Sequence, residues 1–236
     1  MLNQIFIEEK PQIELQQVHF DTKNQKLIDE FLKEYRHQDV LSAYGLPVCN
    51  KLLLFGASGC GKTMTSKAIA KHLDKKLISL NLAGIISSKL GESSKNIHSI
   101  FAKAQREKSV LFFDEFDSVG QSRTEQGDSG ELKRVVNTLL QGIDYMPNDT
   151  LLIAATNRID QIDSALLRRF DTKIEFQLPN NQQLDLFYNQ HLASFPKQYQ
   201  NINRQYGISY AEAKISLQKQ VKALIIHEQE KESNSI

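Results

Sequence analysis

The sequence predicts an α/β fold: a parallel sheet of about five strands flanked by helices, followed by a small helical segment. Three observations carry that expectation. Short apolar runs alternate with stretches of helical spacing along most of the chain. One run, Leu52-Leu53-Leu54-Phe55, leads straight into Gly56-Ala57-Ser58-Gly59-Cys60-Gly61-Lys62-Thr63, the pattern G-x-x-x-x-G-K-T. Another, Val110-Leu111-Phe112-Phe113, ends in the acid pair Asp114-Glu115. Runs without polar alternation suit strands buried on both faces, and such strands are parallel and covered by helices.

Taken in order, residues 1–50 form a lead-in and a helix. Pro11-Gln12-Ile13-Glu14-Leu15 reads as a short lead-in strand, and residues 26–35 place apolar side chains at helical spacing. Residues 51–179 form the large α/β region, with strands near 51–56, 76–80, 109–114, 150–156 and 173–178. Helices fall near 62–73, 94–107 and 131–142. In the last of these Leu132, Val135, Val136, Leu139 and Leu140 follow the i, i+3, i+4, i+7, i+8 pattern of a core-facing stripe. Residues 180–236 differ in composition. Up to Gly207 they are rich in Asn and Gln, with Leu184, Leu186, Phe187 and Leu192 as apolar exceptions. Ser209-Tyr210-Ala211-Glu212 then reads as a capping box. It opens a helix with Tyr210, Ala213, Leu217, Val221 and Leu224 along one face, and the polar stretch 227–236 is expected to fray.

Composition excludes several classes. The chain has 236 residues, 40% hydrophobic and 24% charged, which fits a packed core rather than disorder. A formal net charge of +1 gives no electrostatic argument for nucleic acid or an anionic membrane. No apolar run approaches membrane-spanning length, and the first residues show no basic-then-apolar signal segment. Cys49 and Cys60 are spaced for neither a zinc site nor a disulfide framework, which fits a reducing cytoplasm.

The motifs point to phosphate chemistry. Glycines let a loop turn tightly and aim its N–H groups at anionic oxygens, and the following helix adds the positive end of its dipole. Gly56, Ala57, Ser58, Gly59, Cys60, Gly61, Lys62, Thr63 and Met64 therefore make the candidate nucleotide-binding set. Lys62 suits the β- and γ-phosphates, and the Thr63 hydroxyl suits Mg²⁺. Asp114, at the carboxyl end of its strand, suits the same metal, and Glu115 suits polarising a water for attack on the γ-phosphate. Asn157, just past the strand at 150–156, could bond that water or the phosphate, with Thr156 assisting. By itself an Asn after a strand is more often a turn residue. Arg168 and Arg169 could reach toward a neighbouring subunit's nucleotide, although adjacent arginines are usually solvated or ion-paired.

The stretches LLLFGASGCGKT, KLGESSKNI, VLFFDEFDSVGQSR, GELKRVVNTLLQGID, LLIAATNRID and SALLRRFD occur in an order that resembles AAA+ ATPase modules, over residues 41–179. The chain is most similar to small stand-alone bacterial members and to the meiotic group of disassembly ATPases. The resemblance implies a P-loop NTPase fold with 180–236 as a helical lid. It implies ATP and Mg²⁺ as ligands, ATP hydrolysis to ADP and phosphate, and a hexameric ring that remodels or disassembles proteins. It assigns γ-phosphate sensing to Asn157 and paired trans fingers to Arg168 and Arg169. Base contacts are implied for Tyr44-Gly45-Leu46-Pro47 and Gly207-Ile208-Ser209. One departure stands out: in Ser88-Lys89-Leu90-Gly91-Glu92, Lys89 replaces the pore aromatic of threading members. Ala211-Glu212-Ala213 carries no sensor arginine, an absence that fits the meiotic group, in which both arginines come from the neighbour. A nucleotide-gated scaffold and a DNA-handling ATPase remain as alternatives from other classes.

Overall fold

The computed structural model describes residues 6–82, 92–121 and 129–233. The expected pore segment at 88–91 and the Leu132 side chain lie outside what is described. By contacts the chain divides into two compact units, one of residues 1–56 and 62–176 and one of residues 57–61 and 177–236.

The first unit is built on a six-stranded sheet: β1 (Phe6–Glu9), β2 (Lys51–Gly56), β3 (Leu77–Asn81), β4 (Val110–Asp114), β5 (Leu151–Thr156) and β6 (Thr172–Phe176). Their order across the sheet is β1-β3-β4-β5-β2-β6. Five strands run parallel as expected, and β1 adds an antiparallel edge by pairing Phe6 with Leu80 and Glu9 with Leu77. The lead-in strand expected at 11–15 is not one. Only a 3-10 turn follows there, at Leu15–Gln17, and the pairing segment lies five residues earlier.

Central strands are apolar on both faces, with β5 buried at every position. One face carries Leu53, Leu80, Phe113 and Ala154, and packs on α4 (Glu92–Glu107) and α6 (Ser129–Asp144) through Ile97, Ile100, Phe101, Val135, Leu139 and Ile143. The other is met by α1 (Thr22–Arg36) against β6 and α3 (Lys62–His72) against β4 and β5. Asp21 caps α1 by accepting the Asn24 N–H at 2.7 Å, and Ile28, Phe31, Leu32 and Tyr35 form its buried stripe. Short helices α2 (Gln38–Ala43), α5 (Ser118–Gln121) and α7 (Ser164–Leu167) join these elements.

In the second unit, α8 (Asn181–Leu192) rises from the Asn/Gln-rich stretch, started by a capping box between Asn180 and Gln183. Leu184, Phe187, Tyr188 and Leu192 pack on Ala213, Leu217 and Val221 of α9 (Tyr210–Ser233). The expected capping box is present, with the Ser209 N–H donating to Glu212 at 2.8 Å and the Glu212 N–H to Ser209 Oγ at 3.3 Å. Of the polar stretch 227–236, the described part continues α9 as helix to Ser233.

Candidate active site

Parallel strands deliver their carboxyl ends to one edge of the sheet, and β2, β4 and β5 end there in Gly56, Asp114 and Thr156. The chain leaves β2 for β3 on one side and returns as β6 on the other, so this edge contains the switch of strand order at which open α/β sheets bind ligands.

Gly56 has φ +119°, and a Cβ there would collide with the Phe176 carbonyl of β6. Lys62, at the start of α3 and only 8% exposed, donates from Nζ to the Gly56 carbonyl at 2.8 Å. Thr63 Oγ1 donates to Asp114 Oδ2 at 3.1 Å. The other carboxylate oxygen of Asp114 accepts the Glu115 N–H at 3.0 Å. Glu115 is exposed and sits at φ +51°, in the left-handed region that L residues adopt at a cost. Asn157 is exposed in the turn after β5, and Met64 is exposed on α3. Lys62, Thr63, Asp114, Glu115 and Asn157 thus all stand at one edge of the first unit.

Loop residues Ala57–Gly61 group with the second unit. Cys60 is buried, with Sγ 3.6 Å from the Ser58 carbonyl. The Gly59 carbonyl accepts the Ala211 N–H at 3.1 Å, and a Cβ on Gly59 would run into Ser209 Oγ at 2.6 Å. Only glycine permits so close an approach.

The two arginines differ. Arg169 is engaged within its own chain: Nε and a terminal nitrogen donate to the Asp144 carboxylate at 3.1 and 3.3 Å, and the other terminal nitrogen to the Ala165 carbonyl at 3.0 Å. That carboxylate raises the Arg169 pKa. Arg168 caps α7 and is exposed.

Two expectations change. Ser42 Oγ accepts from Asn148 at 3.3 Å and the Asn50 N–H donates to Asp171, so residues 42–50 run along the amino-terminal edge of the sheet. Tyr44-Gly45-Leu46-Pro47 therefore lies toward the opposite edge of the sheet from Gly56, Asp114 and Thr156, about a strand's length of 17–20 Å away. Thr156 is buried, and its hydroxyl donates to Asp117 Oδ1 at 2.7 Å rather than facing the edge. Asp117 had no role in the sequence reading. Its spacing two residues past Glu115 was the available signal.

The donor set fits a hard divalent cation. Thr63 and Asp114 offer oxygens only, and among the described residues no group of three His, Cys, Asp or Glu forms a cage. Mg²⁺ characteristically takes one or two protein oxygens and completes its shell with phosphate and water. Also among the described residues, no helix is long and apolar enough to cross a membrane.

Residues 52–178 match the AAA family, described as ATPase family associated with various cellular activities. The AAA family ATPase y4kL of Sinorhizobium fredii is 37% identical over 206 residues, covering 86% of this chain and 62% of the relative. A 26S proteasome regulatory subunit 8 homolog of Saccharomyces cerevisiae is 32% identical over 188 residues, covering 76% and 46% respectively. The Schizosaccharomyces pombe homolog is 37% identical over 153 residues, covering 61% and 38%. This chain thus spans about three fifths or less of the length of these relatives.

Proposed function

The chain belongs to the AAA ATPase family, and on that premise we propose that it binds ATP with Mg²⁺, hydrolyses it to ADP and phosphate, and works as a hexameric ring that remodels or disassembles proteins in the cytoplasm. The observation that carries the chemistry is the contact between Thr63 and Asp114. These residues stand 51 apart in sequence, on a phosphate-loop helix and an acid-tipped strand, and meet at 3.1 Å.

In this reading Lys62 leaves the Gly56 carbonyl for the β- and γ-phosphates, a charge-assisted exchange for a neutral acceptor. Thr63 and Asp114 hold Mg²⁺, which when bound neutralises phosphate charge. Glu115 orients and deprotonates the attacking water, and Asn157 bonds the γ-phosphate. Catalysis is then positioning and electrostatic stabilisation, with little covalent work for the protein.

Ring formation enters through the arginines. A finger from a neighbour accelerates related reactions by roughly 10³–10⁵-fold. Arg168 is available for that role as it stands, whereas Arg169 must first leave Asp144. Work on proteins is supported by the likeness to chains named as proteasome regulatory subunits.

The test is ATP turnover per subunit across a wide range of protein concentration, with Arg168→Ala and Arg169→Ala alongside. A rate per subunit that climbs with concentration and collapses in Arg168→Ala supports sites completed by neighbours. A flat rate unaffected by either substitution overturns the ring reading while leaving the nucleotide site intact.

A further inference from the structure

We propose that Asp117 and Thr156 act as one positioning pair that sets Glu115 against Asn157; the proposal rests on the roles given above to those two residues. Pairing between β4 and β5 runs from Val110 with Leu151 to Phe113 with Ala154. Beyond that point two loops leave the ladder, one carrying Glu115 and the other Asn157. Strand pairing no longer fixes their separation.

Two bonds continue the tie past the ladder. The Phe116 N–H donates to the Ala155 carbonyl at 2.9 Å, and Thr156 Oγ1 donates to Asp117 Oδ1 at 2.7 Å. The same Thr156 hydroxyl accepts the Arg158 N–H at 2.9 Å. Its single proton and a lone pair are both committed, so the rotamer is set from each side. Asp117 and Thr156 are both buried, where a hydrogen bond holds its geometry best. Thr156 directly precedes Asn157, and Asp117 lies two residues past Glu115. The Ser118 N–H closes on the Glu115 carbonyl at 2.9 Å. Glu115 holds its left-handed φ of +51° inside that closed turn, a conformation that persists only where its surroundings enforce it. A displacement of the carboxylate by about 1 Å is enough to cost on the order of 100-fold in rate.

A purely structural role would also bury this pair, since a buried carboxylate requires a donor. The two roles part in kinetics. Thr156→Val, Thr156→Ser, Asp117→Ala and the Asp117→Ala/Thr156→Val double variant are compared for kcat, KM, nucleotide-binding stoichiometry and Tm, with Glu115→Gln as control. Positioning predicts that Thr156→Val and Asp117→Ala each lose about 10- to 100-fold in kcat per bound nucleotide, with KM within about threefold. Thr156→Ser restores most of that loss. The double variant is no slower than the worse single one, because the two residues act as a unit. Thr156→Ala takes the place of Thr156→Val if valine prevents folding. Full kcat per bound nucleotide in the folded variants, whatever their Tm, overturns the pair, as do additive losses in the double variant. Normal turnover in Glu115→Gln instead overturns the underlying assignment of the water-activating residue.

Discussion

The two ends of the sheet use polar side chains in opposite ways. At the amino edge they fasten one strand entry to another. The Asn50 amide donates to the Pro147 and Thr150 carbonyls, each at 3.0 Å. Asp171 takes the N–H groups of Asn50 and Lys51, also at 3.0 Å. Lys75 donates to the Lys108 carbonyl at 2.6 Å and to that of Asp149, with its ammonium 5.4 Å from the centre of the Tyr35 ring. Burial pushes the Lys75 pKa down and that of Tyr35 up. At the carboxyl edge Lys62 donates to a carbonyl six residues behind it, and Thr63 leans on Asp114. Both edges thus place a lysine on a carbonyl. Lys75 ties separate parts of the chain together, whereas Lys62 bonds the loop whose ligand would replace that bond. Polar groups at one edge hold the fold, and those at the other can change partners.

That contrast can be broken by substitution. The largest effect is expected for Lys62→Ala, which should lower ATP affinity by at least about 100-fold while leaving Tm nearly unchanged. Calorimetric titration beside thermal melts measures both, and retained binding would erase the contrast. Asn50→Ala should do the reverse. It strips the carbonyls of Pro147 and Thr150 of a buried donor and should cost about 3 kcal/mol in urea unfolding, with the KM for ATP unchanged. Lys75→Met comes next, at about 1–2 kcal/mol, since the apolar stem is kept and two acceptors lose their partner.

The smallest effect lies at the lateral edge, where Glu8 of β1 meets Lys76 and Lys103 at 2.8 and 2.9 Å. Hydrogen bonds from those ammonium groups hold its carboxyl at about 2, below the usual 4.5. A pKa depressed by folding contributes stability above the ordinary carboxylate range, and that stability is lost as pH falls toward 2. Glu8→Gln should cost less than about 1 kcal/mol at neutral pH because the network is partly solvated. The difference from the parent should shrink between pH 4.5 and 2. A pH-independent difference in urea midpoints would show that the network does not contribute through charge.

Much of the fold was legible because the parallel strands are continuous apolar runs and β2 is followed at once by its phosphate loop. What failed to read were features whose cause is distant. Phe6-Ile7-Glu8-Glu9 shows no alternation, and its strand exists because β3, some 70 residues on, offers an edge. The start of α8 was hidden by its Asn and Gln composition, although Leu184, Phe187, Tyr188 and Leu192 keep helical spacing. Leu186, apolar like them, points outward at 66% exposed. In the candidate site, Lys62, Thr63, Asp114, Glu115 and Asn157 were marked by residue type and position. Thr156 was marked only as an assistant to Asn157 and Asp117 not at all, since a bond between the end of β5 and the loop after β4 appears only once the sheet has placed them. The Arg169 engagement with Asp144 is likewise a product of packing, joining the end of α6 to the residues that follow α7.

Gly56 gives the phosphate loop its first letter, yet the atom that forbids a side chain there belongs to Phe176 on the neighbouring strand. The position therefore answers to two masters, the ligand and the sheet. In a saturation screen scored by growth or activity, every replacement at Gly56 should register as lost protein rather than as lost affinity. Abundance measured next to function would separate it from Lys62, whose variants should accumulate normally and simply fall silent.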